Sequence, residues 1–333
     1  CMTQFQRIER PRVAVTRKLL PQIEARMNEL FDCRFNAEDR PLSADEIAAL
    51  MQDADVLVPT VTDRIDVALI ERAPPSLRLF ANFGAGVNHI DLAAAKAKGI
   101  LVTNTPGVFT EDTADLTMAL ILNVPRRLGE GHRLMRSGEW QGWTPTGMLG
   151  HRIGGKTLGI IGFGRIGEAV AVRARAFGMN ILYNKRHRLP ASVEEELSIA
   201  FEPDLDRLVA RADIVTLHCP LTAETNRIMN RQRIGLMKRD GYLINSSRGE
   251  LVDDDALIEA LQRGRIAGAG LDVYNHEPAI DPRFLSIPNA VLLPHLGSAT
   301  YEGREASGEK VIANIRIFSD GHRPPDQVLD GWA

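Results

Sequence analysis

Residues 157–167 read Thr157-Leu-Gly-Ile-Ile161-Gly162-Phe163-Gly164-Arg165-Ile166-Gly167, a short apolar run followed by glycines spaced G-x-G-x-x-G. The run predicts a buried strand, and the stretch from Glu168 to Phe177 predicts a helix. In that strand–turn–helix setting each glycine has a reason. Gly162 permits the tight turn, Gly164 lets the backbone approach a pyrophosphate, and Gly167 lets helix and strand pack closely. The helix N-terminus then presents free amides and a positive dipole end to phosphates. Glycine-rich turns also exist without ligands, so the string is weak alone. In this setting it predicts a dinucleotide-binding domain.

The same alternation extends in both directions. Downstream, strands are predicted at 180–183, 214–217, 242–245, 267–272 and 290–293. Upstream they are predicted at 12–16, 55–58, 77–80 and 100–103, with helices over 20–30 and 92–98. Ser43-Ala-Asp-Glu46 forms a capping box for another helix, its serine and glutamate each satisfying a free amide. Strands separated by helices imply parallel sheets covered on both faces, an α/β architecture. One long helix is predicted from about 110 to 138, with Asp112 and Asp115 near its start and arginines near its end. Residues 142–155 read as a loop, and a last helix is predicted over 301–318. There is no internal repeat.

A chain of 333 residues suits two domains of ordinary size, and 44% hydrophobic with 25% charged residues is a globular balance. A formal charge of -3 offers no basic footprint for nucleic acid and no polybasic membrane anchor. No apolar run approaches the roughly 18 residues a membrane span needs, and the N-terminus lacks an apolar signal core. Cys1, Cys33 and Cys219 are too scattered for a disulfide framework or a zinc site. Cys1, ahead of Met2, reads as a residue foreign to the protein. The expectation is a cytoplasmic protein with no metal.

Which dinucleotide binds depends on the end of the strand after the glycine turn. A carboxylate there would take the ribose 2′-hydroxyl of NAD. Here the residues are Tyr183-Asn184-Lys185-Arg186-His187-Arg188. Nothing in that string repels a 2′-phosphate, and Lys185, Arg186 and Arg188 could pair with one, the guanidinium as a bidentate fork. A solvated basic loop is the plain alternative. The string favours NADP (as NADPH) and leaves NAD possible.

Three further stretches end predicted strands: Asn245-Ser246-Ser247-Arg248-Gly249, Asp272-Val-Tyr-Asn-His-Glu277-Pro278, and Pro294-His295-Leu-Gly-Ser-Ala-Thr300. In a doubly wound sheet the carboxyl ends of strands border the ligand crevice. Reducing a 2-oxo acid needs an acid for the carbonyl oxygen and a cation for the carboxylate. Histidine suits the first task and arginine the second, and a neighbouring carboxylate orients the imidazole and favours its charged form. His295, Arg248 and Glu277 are the candidates. Singly they could be a core histidine, a surface ion pair and a turn; together at strand ends they point to a small-molecule 2-oxo acid reductase.

These motifs, with the glycine turn, resemble the D-isomer-specific 2-hydroxyacid dehydrogenases, and within them the glyoxylate/hydroxypyruvate reductases, over nearly the whole chain. The resemblance implies that Arg248 binds substrate, Glu277 supports the histidine, and His295 protonates the carbonyl oxygen as hydride arrives. It implies that Asp272 bonds the nicotinamide amide, that Thr113 lies nearby, and that Ser246 and Ser247 line the cofactor. It assigns His218-Cys219-Pro220 to the adenosine side. It gives the substrate carboxylate to backbone around Ala85-Gly86-Val87, although a plain strand–helix turn would look the same. It implies two doubly wound domains: a Rossmann cofactor domain (106–295) inserted into a flavodoxin-like substrate domain (1–105 and 296–333), with hinges near Thr105 and Leu296. It also implies a homodimer, with the long helix and the 140–150 loop at the contact, so that Trp140 and Trp143 serve interface or pocket.

Rival readings remain at this level. Formate dehydrogenases would carry glutamine where Glu277 stands, and a longer N-terminus. Phosphoglycerate dehydrogenases often carry a further C-terminal domain, and D-lactate dehydrogenases usually favour NAD. An NAD-dependent dehydrogenase of another D-2-hydroxy acid stays open. So does a dinucleotide-sensing binding protein on the same scaffold, which turnover would separate from an enzyme.

Overall fold

The computed structural model describes residues 7–329, and Cys1 lies outside the described residues. Among the described residues the chain divides into two compact units. One runs up to Phe109 and resumes at Thr300; the other is Thr110–Ala299. The first unit is therefore discontinuous in sequence.

In the first unit the strands are β1 (Arg12–Val15), β2 (Asp32–Arg34), β3 (Val56–Val58), β4 (Leu79–Ala81) and β5 (Leu101–Thr103). They pair in the order β2-β1-β3-β4-β5, parallel throughout, which is the flavodoxin-like order. Successive strand residues face opposite sides of a sheet. Val13 and Val15 accordingly join one core with Ile312 and Ile315, while Ala14 joins the other with Met51 and Ile70. The Ser43–Glu46 capping box is formed in both directions.

The second unit holds β6 (Thr157–Ile161), β7 (Asn180–Asn184), β8 (Ile199–Phe201), β9 (Ile214–Leu217), β10 (Tyr242–Asn245), β11 (Gly268–Leu271) and β12 (Ala290–Leu292). Their order is β12-β11-β10-β9-β6-β7-β8, again parallel. Counted from β6 this is the dinucleotide-binding order 3-2-1-4-5-6 with one more strand, and the order reverses between β6 and β9. Ile160 packs with Leu120 and Ile244 on one face; Ile161 packs with Leu217 and Leu243 on the other. Truncating one such side chain to alanine costs about 2–5 kcal/mol. The α/β reading of the sequence holds in both units.

Two details depart from it. Strands β2 and β8 lie at sheet edges, where exposed residues interrupt the buried run that marks the central strands. The predicted long helix is two, Thr110–Arg126 and Leu128–Ser137. Pro125 has no amide to continue the ladder, and Arg127 turns left-handed at φ +55°. The break is fastened: Arg127 is clamped by Glu130 at 2.6 and 2.8 Å, and Asn123 Oδ1 accepts the Gly129 amide at 2.9 Å. Among the described residues no helix is long and apolar enough to cross a membrane.

Candidate active site

The glycine turn sits where the second sheet reverses its order. Gly162 has φ +90°, and a Cβ there would lie 2.3 Å from the Cys219 amide nitrogen. A Cβ on Gly167 would meet the Gly162 carbonyl oxygen at 2.5 Å. Both are held to glycine by close approach. Gly164 differs: a Cβ there meets nothing within 4 Å, so it faces open space at the start of helix Arg165–Ala176, whose N-terminus has no side-chain cap. An uncapped helix end behind an open glycine fits a pyrophosphate. Arg165 is exposed there and forms no salt bridge among the described residues. Phe163 is buried against Tyr183, ring centroids 4.7 Å apart, so only its backbone is offered to a ligand; Ile166 packs on the same core.

His218, Cys219 and Pro220 end β9 beside this turn. His218 Nε2 lies 2.9 Å from Thr216 Oγ1, and burial pushes its pKa down to about 3, so the ring stays neutral. Burial pushes the Cys219 thiol up to about 11, which leaves it unreactive. The Pro220 carbonyl accepts the Thr225 hydroxyl at 2.6 Å.

At the end of β7 the basic residues divide. Asn184 Nδ2 donates to the carbonyls of Glu202 (2.9 Å) and Pro203 (3.2 Å). Arg188 forks onto Glu194 at 2.9 and 2.7 Å, a pairing the sequence reading did not foresee. Lys185 and exposed Arg186 form no hydrogen bond or salt bridge among the described residues; the Glu224 carboxyl, held low chiefly by the Thr222 hydroxyl, also feels the charge of Arg186. Two cations are therefore available to a ligand.

Arg248, Glu277 and His295 follow β10, β11 and β12, and the structure brings them together. His295 Nδ1 is 2.7 Å from Glu277 Oε2, and Glu277 Oε1 accepts the Tyr274 amide at 2.9 Å. Burial works to raise the Glu277 pKa. The His295 hydrogen bond and charge, with Arg248 behind them, outweigh it and hold the carboxyl below its usual range. A carboxylate only accepts, so Nδ1 carries the proton and donates to Glu277, while Nε2 forms no hydrogen bond among the described residues. Burial lowers the Arg248 pKa, opposed by Glu250 and Glu277; one of its amino groups donates to the Ser247 carbonyl at 2.7 Å. Ser247 Oγ donates to the Cys219 carbonyl at 2.9 Å, and buried Ser246 shares a 2.7 Å hydrogen bond with Thr117.

His295 has φ +55°, a left-handed conformation costly for a residue with a Cβ. Its neighbours hold it there. Asp272, fully buried, accepts the Leu296 amide on Oδ1 (2.7 Å) and the Gly297 amide on Oδ2 (2.8 Å). Thr113 Oγ1 donates to the Gly297 carbonyl at 2.9 Å, and the Tyr274 hydroxyl donates to the Leu293 carbonyl at 2.8 Å. Burial raises the Asp272 pKa against those amide bonds. In this structure Asp272 braces the histidine loop, a role the resemblance did not supply.

In the first unit the Ala85-Gly86-Val87 loop follows β4. Asn82 Nδ2 donates to the carbonyls of Gly84 (3.0 Å) and Gly86 (2.9 Å), and Asn104 Nδ2 to that of Ala85 (2.8 Å). The carbonyls are thus tied back. Among the described residues no amide of Ala85, Gly86 or Val87 donates to the protein. Three successive free amides suit an anion. The Val87 side chain is buried in the core, so only its backbone is on offer. Asn82 and Asn104 were not singled out in the sequence; each is a polar residue closing an apolar strand, the signal that could have found them.

Fold and site together define a dinucleotide-dependent oxidoreductase. The profile of the D-isomer specific 2-hydroxyacid dehydrogenase NAD binding domain matches residues 118–297. A glyoxylate reductase of Thermococcus kodakarensis is 44% identical over 323 residues, 96% of this chain and 96% of that one. The crystal structure of a Thermus thermophilus protein superposes with a TM-score of 0.88 at 44% identity, covering 96% of this chain and 100% of that chain. That of an NADPH-dependent glyoxylate/hydroxypyruvate reductase from Sinorhizobium meliloti, in complex with NADP and malonate, gives 0.85 at 36% identity, covering 96% and 97%. The chain belongs to the D-isomer-specific 2-hydroxyacid dehydrogenases.

Proposed function

We propose that this protein reduces a small 2-oxo acid, glyoxylate or hydroxypyruvate, to the D-2-hydroxy acid with NADPH. The observation that carries the proposal is the 2.7 Å pair of His295 and Glu277, whose carboxyl is also held down by the charge of Arg248. A bound nicotinamide dinucleotide supplies the hydride that reaches the carbonyl carbon. His295 delivers the proton to the carbonyl oxygen from Nε2, while Glu277 keeps the ring oriented and offsets its charge. Arg248 stabilises the negative charge that gathers on the substrate oxygens. The free amides of Ala85, Gly86 and Val87 are assigned to the substrate carboxylate. Thr113 and Asp272, which grip Gly297 from two sides, are assigned to the nicotinamide end, with Ser246 and Ser247 close by. Arg165 and the open turn at Gly164 are assigned to the pyrophosphate, Lys185 and Arg186 to the 2′-phosphate, and His218 to Pro220 to the adenosine. By this division of labour residues 106–295 form the cofactor domain, and 1–105 with 296–333 form the substrate domain.

The test is turnover of glyoxylate, hydroxypyruvate, pyruvate and phenylpyruvate with NADPH and with NADH. The expected result is fastest reduction of the first two with NADPH. Absence of turnover with every pair, although NADPH binds, would instead make the protein a sensor.

The homodimer belongs to the same proposal. Helix Leu128–Ser137 buries none of its residues, and Leu128, Met135, Trp140, Trp143 and Leu149 all stand exposed. A second copy of the chain would cover them. Sedimentation should give twice the chain mass, and Trp143→Glu with Met135→Glu should reduce it to one. Free Cys33 and Cys219 suit the reducing cytoplasm, where we place the enzyme.

A further inference from the structure

We propose that Glu194, an anion, is a positioning residue that presets Lys185 and Arg186 for the 2′-phosphate, and that Arg188 serves Glu194 rather than the phosphate. The inference rests on the NADPH reading above and adds the residue that sets its selectivity.

The loop after β7 is pinned at both ends. At its start Asn184 is tied to the Glu202 and Pro203 carbonyls. At its end the Leu189 amide donates to the Tyr183 hydroxyl at 3.0 Å, and that hydroxyl donates to Glu194 Oε1 at 2.6 Å. Arg188 closes the ring, with Nε on Oε1 and an amino group on Oε2 of the same carboxylate. Its guanidinium also lies 5.8 Å from the centroid of the Phe201 ring, which packs on Tyr183 at 5.2 Å. Only 9% of the Glu194 side chain is exposed, against 62% for Arg188. Arg188 and Tyr183 hold the Glu194 carboxyl down to about 2, so it stays charged at any working pH.

Such an arrangement commits Arg188. Both of its forked donors already face a carboxylate, and redirecting them to a phosphate would strand a nearly buried anion. Lys185 and Arg186 lie between the pins, with no hydrogen bond or salt bridge of their own among the described residues. A loop already ordered loses less conformational freedom when a ligand arrives, so more of the contact energy appears as affinity.

Simple charge counting predicts the opposite sign. If only net charge mattered, removing Glu194 would improve binding of a 2′-phosphate. The two ideas separate in Glu194→Gln, which keeps the shape and loses the charge. Steady-state KM for NADPH and NADH, with kcat for each, should be measured on wild type, Glu194→Gln and Arg188→Lys. The expected result is a KM for NADPH raised about tenfold, with the KM for NADH and both kcat values within about twofold of wild type. Arg188→Lys keeps a cation but loses the fork, and should shift in the same direction.

A lower or unchanged KM for NADPH in Glu194→Gln overturns the proposal, since Arg188 would then have been released to the phosphate or be irrelevant to it. Equal losses for both cofactors, with a lowered Tm, also overturn it by reducing Glu194 to a general structural role. A wild type that prefers NADH overturns the NADPH reading as well; one that prefers NADPH beside an unaltered Glu194→Gln overturns this inference alone.

Discussion

Nδ1 of His295 stands 2.7 Å from Oε2 of Glu277, while the other oxygen of that carboxylate holds the Tyr274 amide. The glutamate is thus fixed by its own strand end before it fixes the histidine. His295→Ala should lower kcat for oxo-acid reduction by about 10²–10⁴-fold and leave the Kd for NADPH near that of wild type. Turnover within a few-fold of wild type would remove His295 from its role.

The same pair sets a pH dependence. The Glu277 pKa is depressed in the folded protein, so its stabilising contribution is present above the ordinary carboxylate value of 4.5. That contribution is lost as pH falls through the lower folded value. Wild type should therefore melt above Glu277→Gln at neutral pH, and the gap in Tm should close in acid. A gap that is constant with pH would mean that the carboxylate charge contributes nothing.

Asp272 acts on His295 through the backbone. Asp272→Asn leaves one carbonyl oxygen for two amides and turns an amide donor toward the other, at a cost of about 1–3 kcal/mol. The left-handed residue before Leu296 would be held less firmly. Expected are a lower Tm and a lower kcat together, read by thermal melts and steady-state kinetics. A variant with wild-type kcat would show that the loop keeps its shape without the brace.

Arg186 is exposed and carries no salt bridge among the described residues, so its replacement should touch selectivity and little else. Arg186→Ala should lower kcat/KM for NADPH at least tenfold, about 1.4 kcal/mol, and leave NADH within about twofold. Raising ionic strength should shrink the NADPH advantage of the wild type as well, since an exposed cation is screened. Equal effects on both cofactors would refute the assignment.

Asn104 holds the Ala85 carbonyl, and its own amide donates to the Asp326 carbonyl at 3.2 Å. Asp326 in turn is gripped by Lys310 and Asn314. The C-terminal segment thereby steadies the loop proposed for the substrate carboxylate. Asn104→Ala should raise the KM for glyoxylate several-fold without moving the KM for NADPH. A shift in both would mean that the whole unit has loosened.

Much of this was readable from the chain alone because it is local. The G-x-G-x-x-G spacing, the apolar runs and the Ser43–Glu46 box each depend on neighbours a few residues apart, and β6, the helix at Arg165 and the capping box all form accordingly. Arg248, Glu277 and His295 could be named because each follows a recognisable strand, and parallel strands bring their carboxyl ends to one edge. The tertiary structure alone decided what happens between distant residues. It turned the chain at Arg127, recruited three-residue edges as β2 and β8, and sent Arg188 to Glu194. It also set Asp272 beneath the two amides that follow His295. Those outcomes depend on hydrogen-bond donors and acceptors that meet only after the sheets have formed, and no periodicity along the sequence records which buried carboxylate will find which partner.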